Sequence, residues 1–279
     1  MNTSLLSTVL DPKQLSVHFQ PIFRIHSRLR QVHALEALVR GPGGTNFERA
    51  DLLFDYIRRK KAENAMDRTC FLAICEAAAV LPAQLRLNIN VHAATLAQTP
   101  EFPEFVRAVM AQYSLSLDRL TIEIVEHTPP CNVSQLINGI DSLRDAGVRI
   151  ALDDVGLGQS NYRMMLDCDP EYFKLDGYFV RGLHLDKKRQ AVVHSITALA
   201  TALDSAVVAE GAETQEELAA LSGDGVEFVQ SNILCPAMAP ENLARTGLLG
   251  HFATRGEQSC KSEPGDKPQA IVLGVPATS

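Results

Sequence analysis

The 279-residue chain contains no tryptophan, and only 6% of it is aromatic. Platforms for stacking sugar rings are therefore scarce, which counts against a carbohydrate-processing enzyme. Basic residues are not in excess either. The 26 Lys and Arg against 33 Asp and Glu leave a net charge of -7. No broad basic face is on offer to duplex nucleic acid or to an anionic membrane. The six cysteines (Cys70, Cys75, Cys131, Cys168, Cys235 and Cys260) include no CxxC pair. Such scatter suits neither a zinc site nor a disulfide framework and reads as reduced, buried thiols. Long apolar runs are missing as well. The longest, residues 191–203, contains His194 and is too short to span a bilayer. The N-terminal MNTSLLSTVLDPKQ lacks the basic and apolar regions of a signal peptide. A cytoplasmic protein with no membrane partner is expected.

What is present is a 46% hydrophobic composition, ample for a core, arranged as alternating strand-like and helix-like runs. Strands are expected at 15–23, 31–40, 86–91, 119–126, 149–156, 172–177, 206–212 and 227–231. Helices fall between them at 47–81 (as a pair), 104–114, 133–147, 162–168, 186–205 and 214–223. Strands that read as apolar throughout suggest burial on both faces. Eight strands with intervening helices predict an α/β fold, a TIM-like (β/α)₈ barrel. The linker RIHSRLR between the first two strands is too short for a crossover helix, so these two form an antiparallel hairpin. Residues 1–14 read as an N-terminal extension, 15–250 as the barrel, and 251–279, rich in Pro, Gly and Ser, as a flexible tail.

The apolar runs close on polar residues: Glu36, Asn90, Glu123 with Glu126, Asp153 with Asp154, Lys174 with Asp176, Glu210 and Gln230. In a barrel of this kind the C-terminal strand ends share one face, where active sites sit. Carboxylates gathered there repel one another unless cations lie between them. Oxygen donors suit Mg²⁺ or Mn²⁺ rather than zinc or copper. Each feature alone has an ordinary explanation. Glu36 could sit on an exposed edge, Asp153-Asp154 in a turn, and Lys174 could snorkel. Seven strand ends in order do not share such an explanation.

These residues also resemble a known family. FQPI (19–22) followed by ALEALVRG (34–41) looks like the motif of the EAL domain family of cyclic di-GMP phosphodiesterases. INVHAATL (89–96), EIVE (123–126), DDVGLG (153–158), FKLD (173–176), AEGAET (209–214) and VQSNILCP (229–236) are similar to the family's further motifs, in order. The resemblance implies a two-metal site for Mg²⁺ or Mn²⁺, with Ca²⁺ binding but supporting little turnover. Glu36, Asn90, Glu123 and Asp153 would hold one ion. Asp153 would bridge to a second, completed by Asp154 and Glu210. Lys174 would orient the attacking water, and Glu126 would steady the loop carrying the aspartates. Arg40 would grip a phosphate. Gln20, Leu38 and Pro236 would border the nucleotide, with Asp176 on the substrate side and Gln230 as a supporting contact.

The implied reaction opens one phosphodiester bond of cyclic di-GMP, giving linear pGpG and lowering the second messenger. The alternative is an EAL-fold receptor that binds cyclic di-GMP without cleaving it. A homodimer is implied by family analogy. Two departures stand out: Val155 and Leu157 replace the usual Phe and Thr of the aspartate loop, and Ser231-Asn232 replaces the usual Gly-Tyr. The basic run RRKK (58–61) reads as a solvated helix end.

Overall fold

The computed structural model describes residues 4–25, 31–125, 132–157 and 162–250. Glu126, most of the RIHSRLR linker and the tail 251–279 lie outside the described residues. Eight strands close into one barrel in sequence order. They are β1 (Ser16–Arg24), β2 (Gln31–Arg40), β3 (Arg86–His92), β4 (Leu120–Val125), β5 (Arg149–Val155), β6 (Tyr172–Leu175), β7 (Ala206–Glu210) and β8 (Phe228–Gln230). The expected hairpin is present, and β1 runs antiparallel to β8 as well. Every other neighbouring pair is parallel.

The expected helical pair separates at Lys61, which takes a left-handed backbone (φ 53°) between helices Ala50–Lys60 and Glu63–Ala78. Further helices cover Phe102–Gln112, Val133–Arg144, Lys187–Ala202 and Gln215–Gly223. The last begins with a capping box between Thr214 and Glu217. Four short helices, Leu5–Val9, Ala93–Gln98, Gly177–Val180 and Pro240–Arg245, were not expected from periodicity. At four to six residues each, they are too short to show a repeat.

The strands are buried on both faces, yet they are not apolar throughout, and this corrects the sequence expectation. Two-residue alternation turns Leu35, Ile89, Ile122, Leu152, Phe173 and Val207 outward beneath the helices, in the main core. The opposite face carries Gln20, Glu36, Asn88, Glu123, Lys174 and Gln230 into the barrel, where all are buried. A small separate cluster, Ile22, Ala34, Val208 and Phe228, is apolar inside. It plugs the end of the barrel where the parallel strands begin. Burying charge this way is costly unless the groups satisfy one another, so the interior is a polar network resting on an apolar plug.

One bulge adjusts that plug. Ile22 pairs with Ala34 but Phe23 with Val32, leaving His33 as an extra residue. Its ring lies 4.1 Å from Phe228, and its Nε2 is 3.1 Å from the Tyr172 hydroxyl.

Candidate active site

Lys174 is the centre of the interior network. Its Nζ lies 2.6 Å from Glu123 Oε2, 2.6 Å from Glu210 Oε1, 3.4 Å from Glu36 Oε2 and 3.4 Å from Asp153 Oδ1. Four strands thus deliver four carboxylates to one ammonium, and the lysine is 2% exposed. Amides fix the acids in place. Asn90 Nδ2 donates to Glu36 Oε1 at 2.8 Å, Gln230 Nε2 to Glu36 Oε2 at 2.6 Å, and Asn88 Nδ2 to Glu123 Oε1 at 2.7 Å. Gln230 also donates to Gln20 Oε1, and Gln20 donates in turn to Asn232 Oδ1.

Burial works to lower the Lys174 pKa. The surrounding carboxylates of Asp153, Glu123, Glu210 and Glu36 outweigh it and hold the amine well above its usual range. The ammonium is therefore a fixed charge and not a proton acceptor at neutral pH. Burial acts against the Glu36 carboxylate, but Lys174 and the amide donors overcome it and lower its pKa. For Glu123, burial and then the charge of Glu36 prevail over Lys174 and raise the pKa far above normal. Glu210 is raised to about 8, chiefly by burial, in spite of Lys174. Asp154 is raised by burial and then by Asp153 and Asp176.

Burial is the larger cause of these raised carboxylate values, and the second is that the site holds more negative charge than one ammonium can balance. Five carboxylates (Glu36, Glu123, Asp153, Asp154 and Glu210) face a single lysine. With all five ionised, the four negative charges left over equal the charge of two divalent cations. The available donors are all oxygen, which fits hard cations. Asn90 Oδ1 is also buried with no hydrogen-bond partner, a ready ligand atom. Among the described residues no three acidic, His or Cys side chains are already drawn together in metal-ligand geometry, because the acids lean onto Lys174. In donor type and charge, the residues present fit the group.

Asp154 sits at φ +52°, an uncommon backbone for a non-glycine residue. It is followed by Gly156 at φ +92°. A Cβ on Gly156 would come within 2.8 and 2.9 Å of the Phe179 ring. Phe179 thus brings an aromatic ring against a loop whose own Phe is replaced by Val155. Val155 itself is fully buried beside Leu175.

A cavity of about 580 Å³ opens above the network. Among the expected residues, Gln20, Glu36, Leu38, Arg40, Asn90, Asp153, Asp154, Lys174, Glu210 and Gln230 line it. Glu123 is brought to the network but lies beneath the cavity, fully buried. Glu36 stands mid-strand in β2, not at a strand end, because the hairpin partner carries β2 on to Arg40. Asp176 does not line the cavity; its carboxylate accepts from the Tyr178 amide and caps the helix Gly177–Val180. Pro236 is exposed and off the cavity wall.

Several wall residues were missed. Asp67 accepts from the His92 amide and Thr95 hydroxyl and pairs with the His92 ring at 2.8 Å. Burial lowers the His92 pKa, but Asp67 more than compensates and raises it. Arg58, expected as part of a solvated helix end, lines the cavity too, and this corrects that reading. Asn88, buried in the network and not on the cavity wall, was missed too; it lies two residues before Asn90, and strand alternation puts both on the inner face.

Compared with known families, residues 4–237 match the EAL domain. "Cyclic di-GMP phosphodiesterase NbdA" of Pseudomonas aeruginosa is 30% identical over 239 residues, covering 81% of this chain and 29% of that protein. An "Uncharacterized signaling protein" of Caulobacter vibrioides is also 30% identical, over 78% of this chain and 27% of its own length. The chain thus spans less than a third of these relatives. Among solved structures, a standalone EAL protein of Vibrio cholerae O395 in its c-di-GMP-bound form superposes with a TM-score of 0.72. It is 24% identical and covers 81% of this chain and 93% of its own. BlrP1 of Klebsiella pneumoniae, in a calcium/cy-diGMP complex, gives 0.70 at 27% identity, covering 79% of this chain and 55% of its own.

Proposed function

This chain belongs to the EAL domain family, and from that premise we propose that it is a metal-dependent phosphodiesterase opening cyclic di-GMP to linear pGpG. The observation that carries the reading is the charge imbalance around Lys174: five converging carboxylates, one ammonium and an orphaned Asn90 oxygen. A receptor that only bound the dinucleotide would have no use for so costly an arrangement.

Glu36, Asn90, Glu123 and Asp153 would hold one Mg²⁺ or Mn²⁺, and Asp153, Asp154 and Glu210 the other. When bound, the two ions acidify a water and offset charge on the phosphodiester. The chain's own residues do the rest. Lys174 presents a fixed positive charge and hydrogen-bond donors toward the attacking water. Asn90 and Gln230 keep Glu36 oriented. Arg40, on the cavity wall, gives one guanidinium nitrogen to the Val39 carbonyl and keeps its other donors for a phosphate. Gln20 and Leu38 border the nucleotide, whereas Asp176 acts through the loop and helix it caps. Glu126 completes the assignment as the residue steadying the aspartate loop.

Incubating the pure protein with cyclic di-GMP and Mg²⁺ or Mn²⁺ should yield pGpG. Tight binding without product would favour the receptor reading. Glu36→Ala should abolish turnover, and near-normal turnover would contradict the assignment. Calcium should bind but give little product, because its looser coordination positions water poorly; brisk turnover in calcium alone would refute that argument.

The reading extends to a homodimer. Helix Tyr162–Cys168 buries Met164 and Met165 but leaves Tyr162 and Leu166 exposed at 72% and 67%. Light scattering on Leu166→Glu tests this; an unchanged dimer would reject that face. No described helix is long and apolar enough to cross a membrane. The four cysteines described are free and buried. Action on a cytoplasmic nucleotide agrees with both.

A further inference from the structure

A second cavity, of about 410 Å³, opens at the other end of the barrel, where the parallel strands begin. The residues that open β3, β5, β6, β7 and β8 line it, Arg86, Arg149 and Tyr172 among them, together with Arg24, which closes the antiparallel β1. The apolar plug separates it from the carboxylate network. We infer that this cavity is a second ligand site, independent of the chemistry at the opposite end, in which Arg86 and Arg149 hold the phosphate group of a small anion.

The arginines at this end do not share one fate. Arg119, just ahead of β4, is buried and spends its donors on the carbonyls of Leu85 and Pro82. Arg24 is paired with Glu227 at 2.9 Å and lies over the Phe228 ring. Arg149 gives one nitrogen to the Asp118 carbonyl at 2.6 Å and keeps its other donors. The half-buried Arg86 has neither an ion pair nor a side-chain hydrogen bond among the described residues. The carboxylates on the wall do not offset these two. Glu227 is taken by Arg24, and Glu171 accepts from the Ile150 amide at 2.7 Å and faces Arg144 at 3.5 Å. Asp204 is exposed at the rim. The field inside is therefore positive. His33 on the wall reports it: after burial, the charges that act most on its ring are all arginines, Arg86 first.

The arrangement favours phosphate over carboxylate. Arg86 and Arg149 come from strands on either side of β4, so they approach a bound group from separate directions. A tetrahedral anion presents oxygens to both, whereas a carboxylate is filled by one guanidinium fork. A doubly charged phosphate also matches the two guanidiniums that lack a carboxylate. A recess with two such arginines in a chain of net charge -7 suits a small anion and not a nucleic acid or a membrane.

Calorimetric titration with inorganic phosphate, near neutral pH and at constant ionic strength set with chloride, tests the site in Mg²⁺ and again in EDTA. The wild type should bind equally well in both. Arg86→Gln should weaken binding roughly 10- to 100-fold, and Arg86→Lys, which keeps the charge, should weaken it less. If Arg86→Gln does not fold, Arg149→Gln carries the same expectation. Acetate should bind more weakly than phosphate. Glycerol 3-phosphate is titrated alongside: tighter binding than inorganic phosphate assigns the site to a phosphomonoester, weaker binding to the free ion. Phosphate binding that appears only in Mg²⁺, or that Arg40→Gln removes, would belong to the upper cavity and overturn the proposal. So would an absence of binding, full affinity in folded Arg86→Gln, or equal affinity for acetate. Production of pGpG does not enter any of these outcomes, so the phosphodiesterase reading stands or falls separately.

Discussion

Replacing Lys174 with methionine removes the ammonium that four carboxylates share while nearly keeping the side-chain volume. Their oxygens lie 2.6–3.4 Å from its ammonium. Stripping one partner from a buried ion cluster costs about 3–5 kcal/mol. For a domain of this size each kcal/mol shifts the melting temperature by about 2–4 °C. In chelator the variant should therefore melt about 6 to 20 °C below the wild type. Divalent cations should recover part of that loss. An ion at a hundred times its Kd contributes about 2.7 kcal/mol, and the variant, with its carboxylates unbalanced, should gain more from Mn²⁺ than the wild type does. Calorimetric melts in EDTA and in saturating Mn²⁺ decide the matter. A variant within about 2 °C of the wild type in EDTA would show that the ammonium does not balance the acids. A fall in melting temperature with no extra response to Mn²⁺ would show that the vacated charge does not attract cations.

Two further outcomes are expected. Gly156→Ala places a methyl against Phe179 in a left-handed backbone, at a strain of about 1–3 kcal/mol; turnover should fall at least about tenfold while the melting temperature drops only a few degrees, and undiminished turnover would separate the aspartates from that contact. His33 is held neutral by burial and then by Arg86, Arg24 and Arg149, with its pKa lowered to about 4. Between that value and its unfolded value the unfolded chain takes up a proton that the fold refuses, so stability falls as pH drops from about 6.5 toward 4. From pH 7.5 to 5 this amounts to about 2 kcal/mol in urea unfolding, and His33→Phe should erase it; an equally acid-sensitive variant would assign the effect elsewhere.

The order of elements was legible because the apolar runs are separated by helical stretches of regular length, and the first linker was too short for anything but a hairpin. The inner acids could be found because few soluble strands carry Glu36, Glu123, Asp153 and Glu210 at corresponding positions. Their exact depth could not. β2 extends beyond its parallel neighbours because β1 pairs along its whole length, so Glu36 ends up mid-strand. The alternation of polar and apolar faces was hidden by short side chains such as Ala151 and Val208, which read as apolar on the inner face too. The bulge at His33 depends on cross-strand register, which one strand alone does not reveal. Arg58 and Arg59 differ only by about 100° around a helix, and which of them meets the cavity depends on how that helix is seated. The Asp67–His92 pair joins residues 25 apart that no local pattern connects.

The barrel is sealed where β1 meets β8, and at that seam Gln230 reaches both Gln20 and Glu36. The first and last staves of the cask thus share a bond network with the chemistry itself. A chain cut short before Phe228, or two fragments that fail to rejoin, would lose the clasp on Glu36 along with the closure. Completion of the ring and competence of the site are one event, and a half-built cask should leave no residual activity.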